Sequence, residues 1–193
     1  VRTGVAVANG VVYFGCGVFP SEGLALYAVD AASGQLIWKN ETFGQCGKAG
    51  ITPQGYLLVS EQHLILPSGR AMPAFFDRND GRFLYQNNQN WRAVGLTGGT
   101  YGLLDGETLY VAYYNGGVRV VDISGELLGD LYKQGREIAF IIPTDPNAYV
   151  PNSPFTWGAQ LHKGHIFYSD FNSGLWSAKL TPETPEETKI ETD

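Results

Sequence analysis

One short pattern recurs along the chain at nearly constant spacing, and it constrains the fold more than any other feature. An Asp is followed four residues later by a Gly and, after four more, by an aromatic residue, as from Asp30 to Trp38 and from Asp77 to Tyr85. A looser third copy begins at Asp122, so the copies start 47 and 45 residues apart. A period in the forties made of short strands is typical of propeller blades.

Each copy of the pattern has the chemistry of a β-hairpin. The Asp at the end of one strand can accept hydrogen bonds from free N–H groups of the turn, and Gly34 or Gly81 supplies a positive φ. Turns such as Asn9 with Gly10 mark further hairpins between apolar runs. The sequence therefore predicts an all-β propeller of about four blades, at residues 1–42, 51–88, 97–142 and 155–180, followed by an acidic, disordered tail or linker at 181–193.

The number of blades leaves three arrangements open. The chain could close as a four-bladed ring, pair with a second copy, or form half of a seven- or eight-bladed ring. An open end would expose unpaired strand edges. The chain begins without Met and has no closing strand in its last blade, so we expect a processed chain or part of a longer one.

Charge and hydropathy argue against two classes of partner. The formal net charge is −6, of which −4 lies in the tail, so the body carries about −2 and has no basic face for a phosphate backbone. No run of about 18 apolar residues is present, so we expect no membrane span. Nucleic acid is not an expected partner.

Two families resemble this chain over most of residues 1–180. Residues 28–38 resemble the tryptophan-docking repeat of PQQ-like (quinoprotein-type) propellers, and residues 74–85 resemble it with Tyr85 in place of Trp. Residues 117–124, 155–158 and 169–176 resemble the LVIVD-type propeller repeat. The resemblances imply a periplasmic or extracellular propeller whose blades dock on one another through a set of structural residues: Asp30, Gly34, Trp38, Asp77, Gly81, Tyr85, Asp122 and Trp176.

The two cysteines form a candidate disulfide. The oxidising environment of an exported chain permits the bond. Cys16 lies at the end of a strand and Cys46 lies between blades one and two, and the connectivity of a propeller places both positions on the same rim. A bridge would close a loop of roughly 30 residues, worth about 3–4 kcal/mol. Two buried free thiols are the alternative.

The same wiring gathers candidate ligand-binding residues on that rim. Loops between second and third strands, and loops between blades, should open there, and aromatic residues interleaved with hydrogen-bonding groups suit a carbohydrate or peptide surface. Packing between blades is the alternative for each of them. The candidates are Arg70, Trp91, Arg92, Tyr114, Asn115, Tyr149, Trp157, Asp170 and Asn172.

No catalytic or metal-binding set is predicted. His162 and His165 flank a hairpin turn without a third nearby ligand, and no Gly-x-Ser-x-Gly motif occurs. Quinone dehydrogenases of the PQQ-like class bind pyrroloquinoline quinone (PQQ) with calcium, often beside adjacent cysteines, whereas the cysteines here are thirty positions apart.

We therefore expect no cofactor and a binding or scaffold module for a protein or carbohydrate partner, with further blades from the same protein or another copy. The alternatives are a fragment of a PQQ-dependent dehydrogenase or other propeller enzyme, and a structural subunit of a larger complex.

Overall fold

The computed structural model describes residues 3–17, 23–43, 51–68, 71–86 and 98–181. In these ranges the chain forms strands and turns without an α-helix, and no helix among these residues could cross a membrane. The strands are β1 (Ala6–Ala8), β2 (Val11–Cys16), β3 (Ala25–Asp30), β4 (Leu36–Asn40), β5 (Leu58–Val59), β6 (His63–Ser68), β7 (Ala71–Asp77), β8 (Phe83–Gln86), β9 (Gly98–Asp105), β10 (Thr108–Tyr113), β11 (Gly117–Asp122), β12 (Glu137–Ile141), β13 (Thr156–His162), β14 (His165–Asp170) and β15 (Gly174–Ala178).

These strands form four antiparallel sheets, which confirms the predicted all-β propeller of about four blades. Blades one, two and three contain β1–β4, β5–β8 and β9–β12, each in chain order, and blade four contains β13–β15. The first strands of successive blades contact one another, so they lie innermost in the array. The described part of blade four has three strands where the others have four.

Tight turns join the first two strands of blades one and four. Asn9 and Gly10 have φ angles of 49° and 76°, and Lys163 and Gly164 have φ angles of 49° and 74°. Positive φ at both central residues is the type I′ geometry, which matches the right-handed twist of the flanking strands. The Asn-Gly signal therefore sets the β1–β2 hairpin.

Apolar layers between successive blades form the core. In β6, Leu64 and Leu66 pack in the cluster shared with blade one, whereas Ile65 packs in the cluster shared with blade three. Alternate side chains of a strand point to opposite faces of its sheet. A strand whose two faces are both covered by neighbouring blades therefore has a continuous run of apolar residues in its sequence. A third cluster, which includes Tyr168, joins blades three and four.

Trp38 connects blade one to the outer turn of blade two. Its side chain is 9% exposed, and its Nε1–H donates to the carbonyl of Arg78 at 3.0 Å. A Cβ added at Gly81 would lie 2.5 Å from Cε3 of Trp38, so the indole ring needs glycine beneath it. Asn40 strengthens the contact by donating from Nδ2 to the carbonyl of Gly81 at 2.7 Å.

The later blades vary this contact. Tyr85 occupies the register position of Trp38, and its hydroxyl accepts a hydrogen bond from the N–H of Leu131 at 3.3 Å. The corresponding residue of blade three is Ala139. The indole of Trp176 packs in the cluster between blades three and four, but its N–H donates within its own blade, to Ser173 Oγ at 2.8 Å.

The predicted disulfide has one member in the described part of the chain. Cys16 ends β2, is half-buried and is a free thiol there. Cys46 lies outside the described residues, so the bridge stays a prediction.

Candidate functional site: an aromatic rim

Equivalent positions on the innermost strands carry aromatic side chains in three consecutive blades. Gly4, Tyr56 and Tyr101 each lie five residues before the turn that ends the first strand of their blade. Trp157 lies one residue farther from its turn because Gly158, with φ 56°, is an extra residue in a β-bulge. The bulge therefore restores Trp157 to the same level of the array.

The rings at these positions lean on one another from blade to blade. The centroids of Tyr56 and Tyr101 are 5.7 Å apart, and those of Tyr101 and Trp157 are 5.9 Å apart. The ring of Tyr56 lies against the backbone of Gly4, where an added Cβ would be 2.2 Å from Cδ1 of the ring. Glycine in blade one thus leaves room for the first ring of the series.

Three loop residues extend this series outward from Trp157. Tyr114 lies 5.2 Å from Trp157 and stacks on Phe155 at 4.8 Å with an interplanar angle of 16°. Phe171 meets Trp157 and Phe155 edge-on, at 5.7 and 5.4 Å. We call these residues the aromatic rim cluster: Tyr56, Tyr101, Tyr114, Phe155, Trp157 and Phe171.

The aromatic rim cluster presents apolar surface to solvent. Phe171 is 73% exposed, Tyr56 58% and Phe155 45%, and the other members are half-buried. Large aromatic side chains on a rigid sheet scaffold expose contact area at a low cost in conformational entropy. Contiguous exposed apolar surface of this kind is typical of a binding site.

Asp170 fixes the loops that carry the outer rings. Its side chain is 3% exposed, and Oδ2 accepts the N–H of Phe155 at 2.5 Å. Its Oδ1 accepts the N–H groups of Asn172 and Ser173 at 3.0 and 2.9 Å, and the Ser173 hydroxyl at 2.9 Å. Its carboxylate oxygens are therefore used to hold the turn between β14 and β15 against the start of β13.

Asn172 ties a second loop to the same turn. Its Nδ2 donates to the carbonyls of Val150 and Ser153 at 2.6 and 2.7 Å, and its Oδ1 accepts the N–H of Val150 at 2.7 Å. The loop at 142–155 is thereby held on the rim, with Tyr149 95% exposed beside it.

The described candidates from the sequence lie together on this rim. Tyr114 and Trp157 belong to the aromatic rim cluster, Asp170 and Asn172 position its loops, Tyr149 is exposed, and Asn115 lies in the turn between β10 and β11. Ligand contact by these residues stays a prediction. Arg70, Trp91 and Arg92 lie outside the described residues.

Sequence reasoning missed the remaining members of the cluster. Tyr56 and Tyr101 could have been found from their common five-residue offset before the turns. Phe155 and Phe171 have no such signal, because their mutual contact depends on how Asp170 folds two loops that are distant in sequence.

The opposite rim carries carboxylates used as turn caps. The hydroxyl of Ser33 donates to Asp30 and, with the backbone N–H of Ser33, holds the pKa of that carboxyl below its usual value. Hydrogen bonds from Ser124 lower the pKa of Asp122 in the same way. These ionised groups stabilise the outer hairpin turns. They lie at the opposite end of each blade from the aromatic rim cluster.

The described residues do not fit the PQQ–calcium group that PQQ-type dehydrogenases use. Calcium takes six to eight oxygen ligands, often from several carboxylates. On this rim the oxygens of Asp170 are occupied by backbone and hydroxyl donors, and Oδ1 of Asp145 accepts the N–H of Asn147 at 2.7 Å. Among the described residues no three His, Cys, Asp or Glu side chains are grouped to hold a metal ion.

The array of four-stranded blades with docked aromatic residues defines a propeller of the PQQ-repeat type. Residues 1–139 match the family model described as "Outer membrane protein assembly factor BamB". The chain therefore belongs to this family. The LVIVD resemblance of the C-terminal half stays a prediction, and blade four lies beyond the matched residues.

Solved structures share the fold at low sequence identity. BamB from Moraxella catarrhalis is 14% identical with a TM-score of 0.59, over 92% of this chain and 46% of that chain. The computationally designed Ika4 protein is 11% identical with a TM-score of 0.56, over 94% and 92%. Quinohemoprotein alcohol dehydrogenase from Comamonas testosteroni is 17% identical with a TM-score of 0.53, over 94% and 36%.

This chain thus spans less than half of the BamB chain that it matches. No curated protein sequence matches it.

Proposed function

We propose that this chain is an extracytoplasmic propeller module that binds polypeptide partners through the aromatic rim cluster and works as a scaffold. The exposed set of rings spanning blades two to four is the observation that carries the proposal. The chain belongs to a family whose description is "Outer membrane protein assembly factor BamB", and this membership supports a protein partner and a location near the outer membrane.

The polar groups that the structure describes on the rim favour a polypeptide over a carbohydrate. A sugar site needs a few polar side chains that converge on the ligand beside the rings. The two best candidates for such contacts are Asp170 and Asn172, but their side-chain oxygen and nitrogen atoms form hydrogen bonds with backbone groups of their own loops. The aromatic faces that remain suit apolar side chains of a bound segment.

Strands of outer-membrane barrels supply such side chains. They alternate apolar and polar residues and carry aromatic residues at both membrane interfaces. A segment of this kind, still extended and unpaired, could place alternate aromatic side chains against Tyr56 in blade two and against Trp157 and Phe171 in blade four. The scaffold would then hold an aggregation-prone segment without acting on it chemically.

Calorimetric titration tests the proposal with a defined probe. The probe is a ten-residue synthetic peptide in which Phe and Tyr alternate with Thr and Asn, with Lys at each end, and the control peptide has Ser in place of each aromatic residue. We expect binding of the aromatic peptide and no binding of the Ser peptide or of cellohexaose. Binding of cellohexaose alone would contradict the proposal.

Matched variants locate the site. Phe171 and Tyr132 are 73% and 71% exposed, but Tyr132 lies outside the aromatic rim cluster. Burying a Phe side chain contributes about 1.5–3 kcal/mol, so Phe171→Ser should weaken binding about tenfold or more. Tyr132→Ser should leave the affinity unchanged. Equal effects of the two variants would show that the peptide binds exposed aromatic residues without selecting the rim.

A further inference from the structure

The hairpin between β13 and β14 places two histidines directly opposite each other. His162 and His165 are Cα partners in the ladder, on either side of the turn formed by Lys163 and Gly164. Directly opposite residues of an antiparallel pair have Cβ atoms about 4.5–5.5 Å apart on the same face of the sheet. The φ angles of 49° and 74° at the turn residues fix this register. The two imidazole side chains therefore start from neighbouring points of a rigid hairpin.

The histidine pair lies on the face of blade four that is turned away from blade three. Ile166 and Tyr168 pack in the cluster between these two blades, and His165 precedes them on the opposite face of β14. Both members of the pair are exposed. His63, the third histidine of the chain, is 3% exposed. Only the imidazoles of the pair are therefore open to a solute.

A backbone hydrogen bond fixes the tautomer of His165. Its Nδ1 lies 3.1 Å from the carbonyl oxygen of Lys163. A carbonyl oxygen can only accept, so Nδ1 carries the proton and donates it. The neutral ring then has its lone pair on Nε2, the nitrogen that can bind a metal ion. Histidines that bind metal ions commonly donate their other N–H to a backbone carbonyl in this way, which holds the tautomer and the orientation of the ring.

The two nitrogen donors select the class of ion. Imidazole suits copper, nickel and zinc, whereas calcium and magnesium require oxygen ligands. Zinc sites use three or four protein ligands, and in the described ranges no third His, Cys, Asp or Glu side chain joins the pair. Copper(II) accepts a tetragonal set of nitrogen and oxygen ligands and binds such donors more tightly than the other divalent first-row ions do. Two imidazoles and bound water therefore fit copper(II) best.

We propose that His162 and His165 form a chelating site for copper(II), with water at the remaining coordination positions. The observation that carries the proposal is the register pairing of the two side chains, together with the hydrogen bond that leaves Nε2 of His165 unprotonated. The pair lies at the opposite end of β13 from Trp157, so the proposal does not depend on polypeptide binding at the aromatic rim cluster.

Electron paramagnetic resonance and calorimetric titration with copper(II) chloride test the site. We expect a tetragonal spectrum with nitrogen coupling from two imidazoles. His162→Gln and His165→Gln should each reduce this coupling to one imidazole and weaken binding about tenfold or more. The double variant should bind one copper(II) ion fewer than the parent chain. His63→Gln is the matched control, because it removes a histidine that is buried, and it should leave the spectrum and the affinity unchanged.

Two results of these titrations would overturn the proposal. The first is a double variant that binds as many copper(II) ions as the parent chain with the same spectrum, which would assign the ion to other groups. The second is a site that saturates at one ion for two chains while the protein sediments as a dimer. In that case the two imidazoles of one chain would not be sufficient, and the ion would be held between copies.

Nuclear magnetic resonance of the ¹⁵N-labelled parent chain gives an answer that needs no variant. Before copper(II) is added, the imidazole spectrum of His165 should show a proton on Nδ1. Substoichiometric copper(II) should then broaden the amide signals of Lys163 and Gly164. Asn9 and Gly10 are the control, because they form the same type of turn without flanking histidines. A proton on Nε2 of His165, or equal broadening of the two turns, would overturn the proposal.

Discussion

Replacing Trp38 with Ala should cost more stability than any other single aromatic truncation in blade one. The side chain is 9% exposed, fills the space over Gly81 and donates a hydrogen bond to Arg78. Truncating a buried Trp to Ala costs about 3–5 kcal/mol, of which a lost hydrogen bond contributes about 1 kcal/mol. Because Trp38 packs between blades, the loss should weaken the attachment of blade one to blade two.

Urea unfolding followed by circular dichroism measures this effect. Trp38→Phe is the matched control, since it keeps a ring over Gly81 but removes the N–H donor, and it should cost about 1–2 kcal/mol. Trp176→Ala should cost less than Trp38→Ala, because Trp176 is half-buried and its N–H bonds within its own blade. A loss below about 1 kcal/mol for Trp38→Ala would refute docking as the main contact between these blades.

Three further perturbations follow from the described contacts. Burial lowers the pKa of His63 and its Nδ1 has no hydrogen bond, so the unfolded state binds the proton at a higher pH than the folded state does. The contribution of His63 to the free energy of unfolding should be full above pH about 6.5 and fall by up to about 1.4 kcal/mol per pH unit below it. His63→Gln should remove this slope in urea titrations at pH 7.5 and 5.5. Gly4→Ala would place a Cβ against the ring of Tyr56 and should lower the free energy of unfolding, measured in urea, by about 1–3 kcal/mol. Adding Tyr56→Ala to the same chain should recover part of that loss. Additive losses from the two substitutions would contradict the contact. Asp170→Asn turns one acceptor into a donor facing backbone N–H groups and should cost about 1–3 kcal/mol, with reduced near-UV dichroism from the rim; an unchanged spectrum would count against its positioning role.

The blade architecture could be predicted because its signals are local. The Asp-to-Gly spacing at Asp30 and Asp77 encodes an outer turn whose hydrogen bonds close within five residues. The same spacing brings Trp38 to the place where a neighbouring turn can receive it. Predicting such features requires only the geometry of hairpin turns and the two-residue alternation of side chains along a strand.

The aromatic rim cluster could not be predicted in full because it depends on contacts between blades. Tyr101 lies on an inner strand, and only the packing of three blades brings it between Tyr56 and Trp157. The bulge at Gly158 also breaks the residue count that would have aligned Trp157 with the others. Asp170 and Asn172 carry the polar chemistry expected of ligand contacts, yet their hydrogen bonds organise the loops.

Blade three departs from the repeat for a physical reason that is visible only in the structure. Residues 123–136 extend the outer turn, and the N–H of Leu131 from this extension meets the hydroxyl of Tyr85. Leu131 also packs in the apolar cluster between blades two and three. The extension therefore separates the looser copy of the pattern at Asp122 from the outer strand β12.

Chemical-shift mapping of the ¹⁵N-labelled chain with the alternating aromatic peptide tests polypeptide binding at the rim most directly. We expect saturable shifts of the Trp157 indole N–H and of the backbone amides of Thr156 and Phe171, with little change at Asp30 and Asp122 on the opposite rim. Shifts confined to the opposite rim, or no shifts at millimolar peptide, would contradict the account.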